Sequence, residues 1–598
     1  MTTSLKSKIP SRARPPELEL LTRPISEGRH SSYALWRVWA ADRTLADRTL
    51  MIASVLLGLL HAWNGRLSLN PDGMSYLDVG DAFVHRNWAV AVNGWWSPLY
   101  PWTLGLVLHA TSASPKWEVP IAHIVNFGIF VLALFAFRFL VGALLEFIHS
   151  RNKGADSNLA NLPDWAITLI GYAVFLWISL EITTVYEVSP DLAVVACVCL
   201  SAGALLRLRN RVTLWRSVSL GLILGIGYWT KTVLLPLGAG SLILAYFWMP
   251  SRSWRRGIGC AALVFAVVSA PLITALSLQK GRFTFGDSGK VNYAWAMSGA
   301  PTRNWHGEIP GAGTPKHGTT LIFQYPPIFA FDGPVAGTYP PWTDPSYWND
   351  GIRATFTLRR QMQVLAVTVP SEVRILLRSQ PALLVGIVAL AMLSGSLWIL
   401  GLRELWPLLA MQILGMAAFV PIIENDRYLG GFVVVLFLLL ASATKFHSDD
   451  RRAAVCIAVA VFAAMALGTA DFTIRTVTHH FAIAGNGPNS TAEDVIVAEQ
   501  LHALGAQPGE KIAIIGDGTG AYWARLGRFR IVAEIMAMNH GAQQFWESPD
   551  ETKQDVYRHF AQAHANLVVS ACPQVIPADW QKLSGTSFCF RPLKAQGQ

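Results

Sequence analysis

The chain has 598 residues, 52% of them hydrophobic and only 14% charged, with a formal net charge of +10. Soluble domains carry about a quarter charged residues, so this composition, with a mean hydropathy of +0.36, excludes an ordinary soluble enzyme and points to a polytopic membrane protein. The positive balance does not imply nucleic acid, because much of the Lys and Arg sits in short segments between apolar runs, where it sets orientation, and six cysteines in this length exclude a disulfide scaffold.

Residues 1–47 are polar and basic, from Lys6 to Arg43, and lack the apolar core and cleavage site of a signal peptide. They read as a cytoplasmic tail, with an interfacial helix near Tyr33–Trp39 as one reading. Residues 48–472 contain apolar runs of membrane-spanning length, near 48–66, 118–147, 163–184, from Asp191 to the Arg207 cluster, 214–230, 233–249, 257–278, 380–402, 405–423, 429–444 and 453–471. That makes about 11 spans. The basic clusters at Arg151 and Lys153, at Arg207 to Arg216, at Arg252 to Arg256 and at Lys445 to Arg452 fall with the parity of the positive-inside rule.

Two outer loops stand out. The first, 67–117, carries Asn70-Pro-Asp-Gly-Met-Ser-Tyr76, Asp78, Asp81 and the turn Trp95-Trp-Ser-Pro98. It is too polar for lipid and too aromatic for an exposed loop. Short helices over 75–84 and 98–110, lying flat on the membrane, suit it. The second, 279–378, is rich in Gly, Pro, Trp and Tyr, and its last part, 353–379, reads as an amphipathic helix. Connections this long are usually functional or disordered, and the aromatic content argues against disorder. Its Trp and Tyr residues either stack on sugar rings or form the loop's own core.

Residues 473–598 change character. KIAIIG (511–516), FRIVAEI (529–535), NLVVS and TSFCFRPL read as strands, and AYWARLG and QDVYRHFAQAHA as helices. This alternation predicts a small α/β domain, placed outside by parity. Cys572 and Cys589 flank two late strands and either pair in an oxidising compartment or are buried thiols. Gly516-Asp-Gly-Thr-Gly520 follows a strand but lacks the full dinucleotide fingerprint, so a tight structural turn is the better reading. The spacing of His306, Glu308 and His317 matches no standard metal site.

This topology brings Asp72, Glu187, Asp191, Lys231, Glu424 and Arg427 to the outer boundary of the membrane. Each has a plain structural reading: Asp72 as a turn residue or cap, Glu187 and Asp191 as acids at a helix start, Lys231 as a snorkelling residue, Glu424 and Arg427 as a surface ion pair. Tyr76, Trp96, Tyr100 and Tyr428 have one as interface anchors. Ionisable groups at membrane depth are costly and usually do work, and a shared face favours the functional reading. Lys and Arg suit a lipid phosphate. A sugar on that phosphate leaves without a general acid if cations stabilise the departing charge, and the acceptor hydroxyl then needs one carboxylate as base. Hydrolysis would need two cooperating carboxyl groups across one bond, so the pattern favours transfer.

Asp72-Gly-Met-Ser-Tyr76, Ser97-Pro-Leu-Tyr-Pro101, Ser189-Pro-Asp191, Thr230-Lys231 and Glu424-Asn-Asp-Arg427-Tyr428, in this order, resemble the GT-C glycosyltransferases that use polyprenyl-phosphate sugars. The resemblance is to the branch with protein O-mannosyltransferases and lipid A aminoarabinose transferases. It implies a GT-C-like transmembrane domain and transfer of a hexosyl or pentosyl unit, by inverting displacement, to a glycan, lipid or protein acceptor outside the cytoplasmic membrane. It implies Asp72 as the catalytic carboxylate and Arg427 and Tyr428 at the donor phosphate. Tyr76, Trp96, Tyr100, Glu187, Asp191 and Glu424 are then the candidate substrate contacts. The chain departs from the pattern where Gly73 follows Asp72 instead of Glu, and where Ser97 replaces a Lys or His, which makes Lys231 a candidate for part of the phosphate contact. No cofactor is implied, with a divalent ion near Asp72 as the alternative. Two other classes are a transporter or flippase of lipid-linked saccharide, which should show repeats and charges near the bilayer midplane, and a non-catalytic envelope assembly subunit, which would tolerate loss of Asp72.

Overall fold

The computed structural model describes residues 43–152, 159–331, 333–422, 425–483, 491–537 and 540–593. The basic tail therefore lies outside the described residues up to Arg43, where the first helix begins. Glu424 also lies outside them.

The chain is a mostly helical polytopic membrane protein with a smaller sheet at one end. Among the described residues, seven helices are long and apolar enough to cross a membrane: Thr44–Asn64, Pro115–Arg151, Asp164–Ile182, Asp191–Asn210, Arg252–Lys280, Ser396–Ala417 and Arg451–Thr478. Three shorter apolar helices, Leu234–Trp248, Pro381–Ser394 and Gly430–Ser442, lie among them. Leu214–Thr230 completes the set; Thr213 caps it by accepting the Arg216 amide hydrogen, which satisfies one of the helix's orphan donors.

Two boundaries differ most from expectation. The last spanning helix runs on to Ile483, past the end expected at 471 and into the 473–598 region. The break between the spans expected at 380–402 and 405–423 falls at Gly395, whose φ of +56° is strained for any residue with a Cβ. Arg403 and Glu404 lie inside the following helix. Glu404 is accommodated there by Lys445 at 3.3 Å and Arg151 at 3.9 Å. A two-stranded ribbon of β1 (Leu159–Asn161) and β4 (Lys445–His447) lies at this basic end of the bundle.

At the opposite end, Pro71 opens the helix Pro71–Val84, with Asp72 in its first turn. Proline suits a first helical position, and an acid there complements the helix dipole. This helix crosses Leu99–Thr111 at a point where a Cβ on Gly105 would lie 2.3 Å from the Gly80 carbonyl oxygen. Only glycine permits so close an approach.

The sheet contains the four strands read from the sequence: β5 (Lys511–Gly516), β6 (Arg530–Met536), β7 (Leu567–Ala571) and β9 (Phe588–Pro592). It also contains β8 (Gln581–Lys582) and two strands from the long loop, β2 (Thr320–Gln324) and β3 (Pro327–Ala330). The order is β2-β3-β6-β5-β7-β9-β8, with β6, β5 and β7 parallel to their neighbours in that trio. The α/β unit expected from 473–598 is thus completed by the 279–378 loop, because β3 pairs with the otherwise open edge of β6. Cys572 and Cys589, on and beside the paired strands β7 and β9, form a disulfide. Asp517 closes the Gly516–Gly520 turn by accepting from Thr519 and from Arg303 of the long loop, so this turn is a structural staple.

One apolar core fills the bundle. A second runs from Leu69, Tyr76 and Trp96 through Tyr339 to Trp523 and Ile531, uniting the first outer loop, the long loop and the sheet. Through it, Arg525 reaches back to the first-loop helix. It pairs with Asp78 at 2.8 Å, Asp81 at 2.7 Å and Glu118.

Candidate active site

Five of the predicted charged residues meet at the sheet-bearing end of the bundle. Arg427 is the hub. It sits on a short turn, Asp426–Tyr428, just before the helix Gly430–Ser442. Its Nη2 donates to Asp72 Oδ2 at 2.6 Å, its Nη1 contacts Glu187 Oε2, and its Nε lies 3.4 Å from Asp191 Oδ2. Asp191 opens its helix directly after Pro190 and is almost fully buried. Its other oxygen accepts from Lys231 Nζ at 2.6 Å. Lys231 ends the helix Leu214–Thr230 and stands 3.6 Å over the Tyr428 ring, a cation–π contact. Tyr428 Oη accepts from Arg427 at 3.3 Å.

Four of these groups border a cavity of about 480 Å³, and Glu187, like Asp72, is not on its wall. Its wall includes Asp191, Lys231, Arg427 and Tyr428, with Tyr76 and Trp96 on the aromatic side. Burial first, then the neighbouring Asp72 and Asp191 charges, pushes the Tyr76 hydroxyl well above its ordinary range, so Tyr76 stays a neutral phenol. Asp72 does not itself line the cavity. It stands behind Arg427, and Trp342 Nε1 donates to its second oxygen at 3.3 Å.

Tyr100 is not at the cavity. It is buried, its hydroxyl donates to Asn126 Oδ1 at 2.6 Å, and its ring packs against Tyr76. His306, Glu308 and His317 do not converge either. His306 Nε2 is bonded to Thr319, Glu308 accepts the His306 amide hydrogen, and His317 stacks on Tyr347. Among the described residues no three His, Cys, Asp or Glu side chains are grouped to hold a metal ion.

Sequence reasoning missed four residues here. Arg282, Asp287 and Lys290 line the cavity, with Arg282 Nη2 2.8 Å from each Asp287 oxygen. Trp342 touches Asp72. All four belong to the long loop. The signal for Arg282 was its place just beyond the span read at 257–278; the others carried none. With them, four cations and two acids border the cavity, and aromatic rings supply much of the remaining surface. Such a lining suits a ligand with an anionic head and an apolar body.

No protein-family model matches the sequence, and no curated protein matches it. Among solved structures, the chain is similar to ArnT from Cupriavidus metallidurans bound to undecaprenyl phosphate, with a TM-score of 0.49 and 10% identity over 92% of this chain and 98% of that one. It is also similar to the oligosaccharyltransferase of Archaeoglobus fulgidus in complex with zinc and sulfate, with a TM-score of 0.48 and 13% identity over 87% of this chain and 68% of that one. The AglB oligosaccharyltransferase of the same organism, in complex with an inhibitory peptide and a dolichol-phosphate, gives 0.47 and 13% over 88% and 69%. The likeness lies in the course of the chain and assigns no residue of this one.

Proposed function

We propose that this chain transfers a sugar from a polyprenyl-phosphate donor to an acceptor hydroxyl, as a GT-C glycosyltransferase, with Asp72 as general base. The observation that carries this reading is the meeting of Asp72, Glu187, Asp191, Lys231, Arg427 and Tyr428 beside one amphiphilic cavity. Lys231 and Arg427 take the donor phosphate and stabilise the charge that builds on it as the glycosidic bond breaks. Arg282 and Lys290 add positive charge to the same wall. Glu187, Asp191, Tyr76 and Trp96 contact the sugar. In the resting site Arg427 occupies an oxygen of Asp72. A phosphate that recruits Arg427 frees that carboxylate to accept the acceptor's proton, while the acceptor oxygen attacks C1 from the face opposite the departing phosphate. The acceptor is a glycan, lipid or protein hydroxyl.

The reaction then faces the outside of the cytoplasmic membrane. Two observations support this orientation. The basic clusters lie at the end of the bundle opposite the cavity, as cytoplasmic segments should. The Cys572–Cys589 disulfide, in the unit beside the cavity, suits an oxidising compartment.

The test uses the full-length protein in nanodiscs, a panel of polyprenyl-phosphate monosaccharides and candidate acceptors, with release of free polyprenyl phosphate as the signal. Wild type should release it. Asp72→Asn should lower turnover by about 10²–10⁴-fold with donor binding retained. A wild type that neither releases nor binds any donor in the panel overturns the reading.

A further inference from the structure

The helix Leu358–Ser379 packs on the segment that forms one wall of the cavity, yet most of its own surface is uncovered. Leu358, Met362, Leu365, Val369, Val373 and Leu377 recur every three or four residues, which sets them on one stripe of a helix. Five of them are well exposed, from 43% for Val369 to 68% for Leu358. A different side meets the protein, where Thr368 is buried and Gln361 donates to the Pro421 carbonyl and accepts from Tyr293. Arg359, Arg360, Arg374 and Arg378 share this helix with one acid, Glu372.

Both ends of the helix are fixed at the same level of the molecule. Near its start, Gln361 is bonded to Pro421, four residues past the spanning helix Ser396–Ala417. At its finish, buried Gln380 leads straight into the apolar helix Pro381–Ser394. A helix of this length spans about 33 Å. Tied at both ends to one boundary of the bundle, it runs along that boundary and does not project from it. An apolar stripe beside arginines, held at that level, is the form of a helix lying in the headgroup layer.

We infer that Leu358–Ser379 is a membrane-surface helix that sinks its apolar stripe into the bilayer boundary and binds anionic lipid headgroups through Arg359, Arg360 and Arg374. The partner is the lipid surface, chosen by charge complementarity and by continuity with the adjoining span. Arg360 Nε also donates to the Ala296 carbonyl at 3.0 Å, on the helix Ser288–Ser298 that follows the cavity-lining Asp287. Lipid binding therefore fixes the depth of the cavity wall. The inference does not depend on the reaction proposed above.

The experiment places an environment-sensitive fluorophore on the full-length protein in nanodiscs, at Val369→Cys, Val373→Cys or Gln363→Cys, in a Cys260→Ser, Cys456→Ser background. The discs contain phosphatidylcholine alone or phosphatidylcholine with phosphatidylglycerol. Spin-labelled lipid should quench the labels at 369 and 373 severalfold more than the label at 363, and aqueous iodide should do the reverse. Quenching at 369 by iodide but not by lipid, or by neither, overturns the inference. Replacing Arg359, Arg360 and Arg374 together by Gln should bring lipid quenching in phosphatidylglycerol discs down to the level in phosphatidylcholine. If the two lipids give equal quenching with the arginines intact, the assignment of anionic headgroups fails.

Discussion

Two arginines in this molecule each face three carboxylates, and they touch opposite ends of one helix. Arg427 holds Asp72 near the start of Pro71–Val84, with Glu187 and Asp191. Arg525 holds Asp78 and Asp81 near its finish, with Glu118. The difference lies in how completely each cluster is satisfied. Around Arg525, Arg528 adds a second cation to Asp81 and Glu118, and Thr338 donates twice to Asp78. Burial pushes the Asp78 carboxyl up, and Arg525 and Thr338 oppose that. Around Arg427 the Nε hydrogen has no hydrogen-bond acceptor among the described residues, Glu187 is 38% exposed, and a cavity adjoins. A closed set of charges holds parts together, whereas an open set beside a cavity retains capacity for a ligand. The clusters share a helix, so the position of Asp72 depends on the grip of Arg525.

The largest contrast should come from breaking each hub. Arg525→Met leaves three acids at the junction without their main partner. Removing one partner of a buried pair costs about 3–5 kcal/mol, so this variant should show a large loss of thermal stability. The loss should shrink at low pH, where the stranded acids take up protons, and melting curves at two pH values check both points. Arg427→Ala should hardly move the melting temperature, because Asp191 keeps Lys231 and the more exposed acids can be hydrated. It should instead weaken donor binding by the worth of a charge-assisted hydrogen bond, about 1.5–3 kcal/mol, measured by titration with polyprenyl phosphate. Equal stability losses in the two variants would remove the distinction drawn between the clusters.

A pH-dependent effect concerns Asp494, which lies on the sheet side of the same junction. It is nearly buried and accepts the Trp523 amide hydrogen at 2.9 Å. Burial raises its carboxyl to about 7, above the unfolded value near 3.9. Between those values the folded state holds a proton that the unfolded state has lost. Stability therefore falls as pH rises through that window, by at most about 1.4 kcal/mol per pH unit, and levels off above it. Asp494→Asn keeps the acceptor for Trp523 and should flatten the slope. A slope unchanged in Asp494→Asn would assign the pH dependence to other groups.

The span positions were legible because an apolar run of membrane length is a local signal. The exception at Gly395 has a physical reason: charges usually mark a boundary, but Glu404 has partners within reach and stays in its helix. Asp72, Asp191, Lys231 and Arg427 were legible as candidates because each is a charge beside an apolar span, and spans fix where charges can meet. Tyr100 shows the limit of that reasoning, since a tyrosine in a promising turn spends its hydroxyl on Asn126. β2 and β3 were not legible. β3 pairs with β6, some two hundred residues away, β2 pairs with β3, and Gly and Pro crowd their flanks. Arg282, Lys290 and Trp342 were hidden for the same reason: non-local pairing positions the long loop, and its composition says little about where each side chain ends.

Trp342 gives the finest test of whether the open cluster is poised for chemistry. Its indole N–H donates to Asp72 Oδ1 at 3.3 Å, and its ring stacks on Trp295 and borders Trp96. Trp342→Phe keeps an aromatic ring there and removes the donor. The bond is long at 3.3 Å and contributes about 0.5–1.5 kcal/mol, so the expected change is about two- to tenfold. Its sign is informative. The N–H fixes the carboxylate's direction, but it also occupies one of its oxygens. If orientation matters more, kcat falls with KM for the donor unchanged. If the occupied oxygen matters more, kcat rises slightly. Loss of donor binding without a change in kcat would mean that Trp342 serves the ligand and not Asp72, and the Arg427 cluster would then be a binding site whose acid is bystander to the reaction.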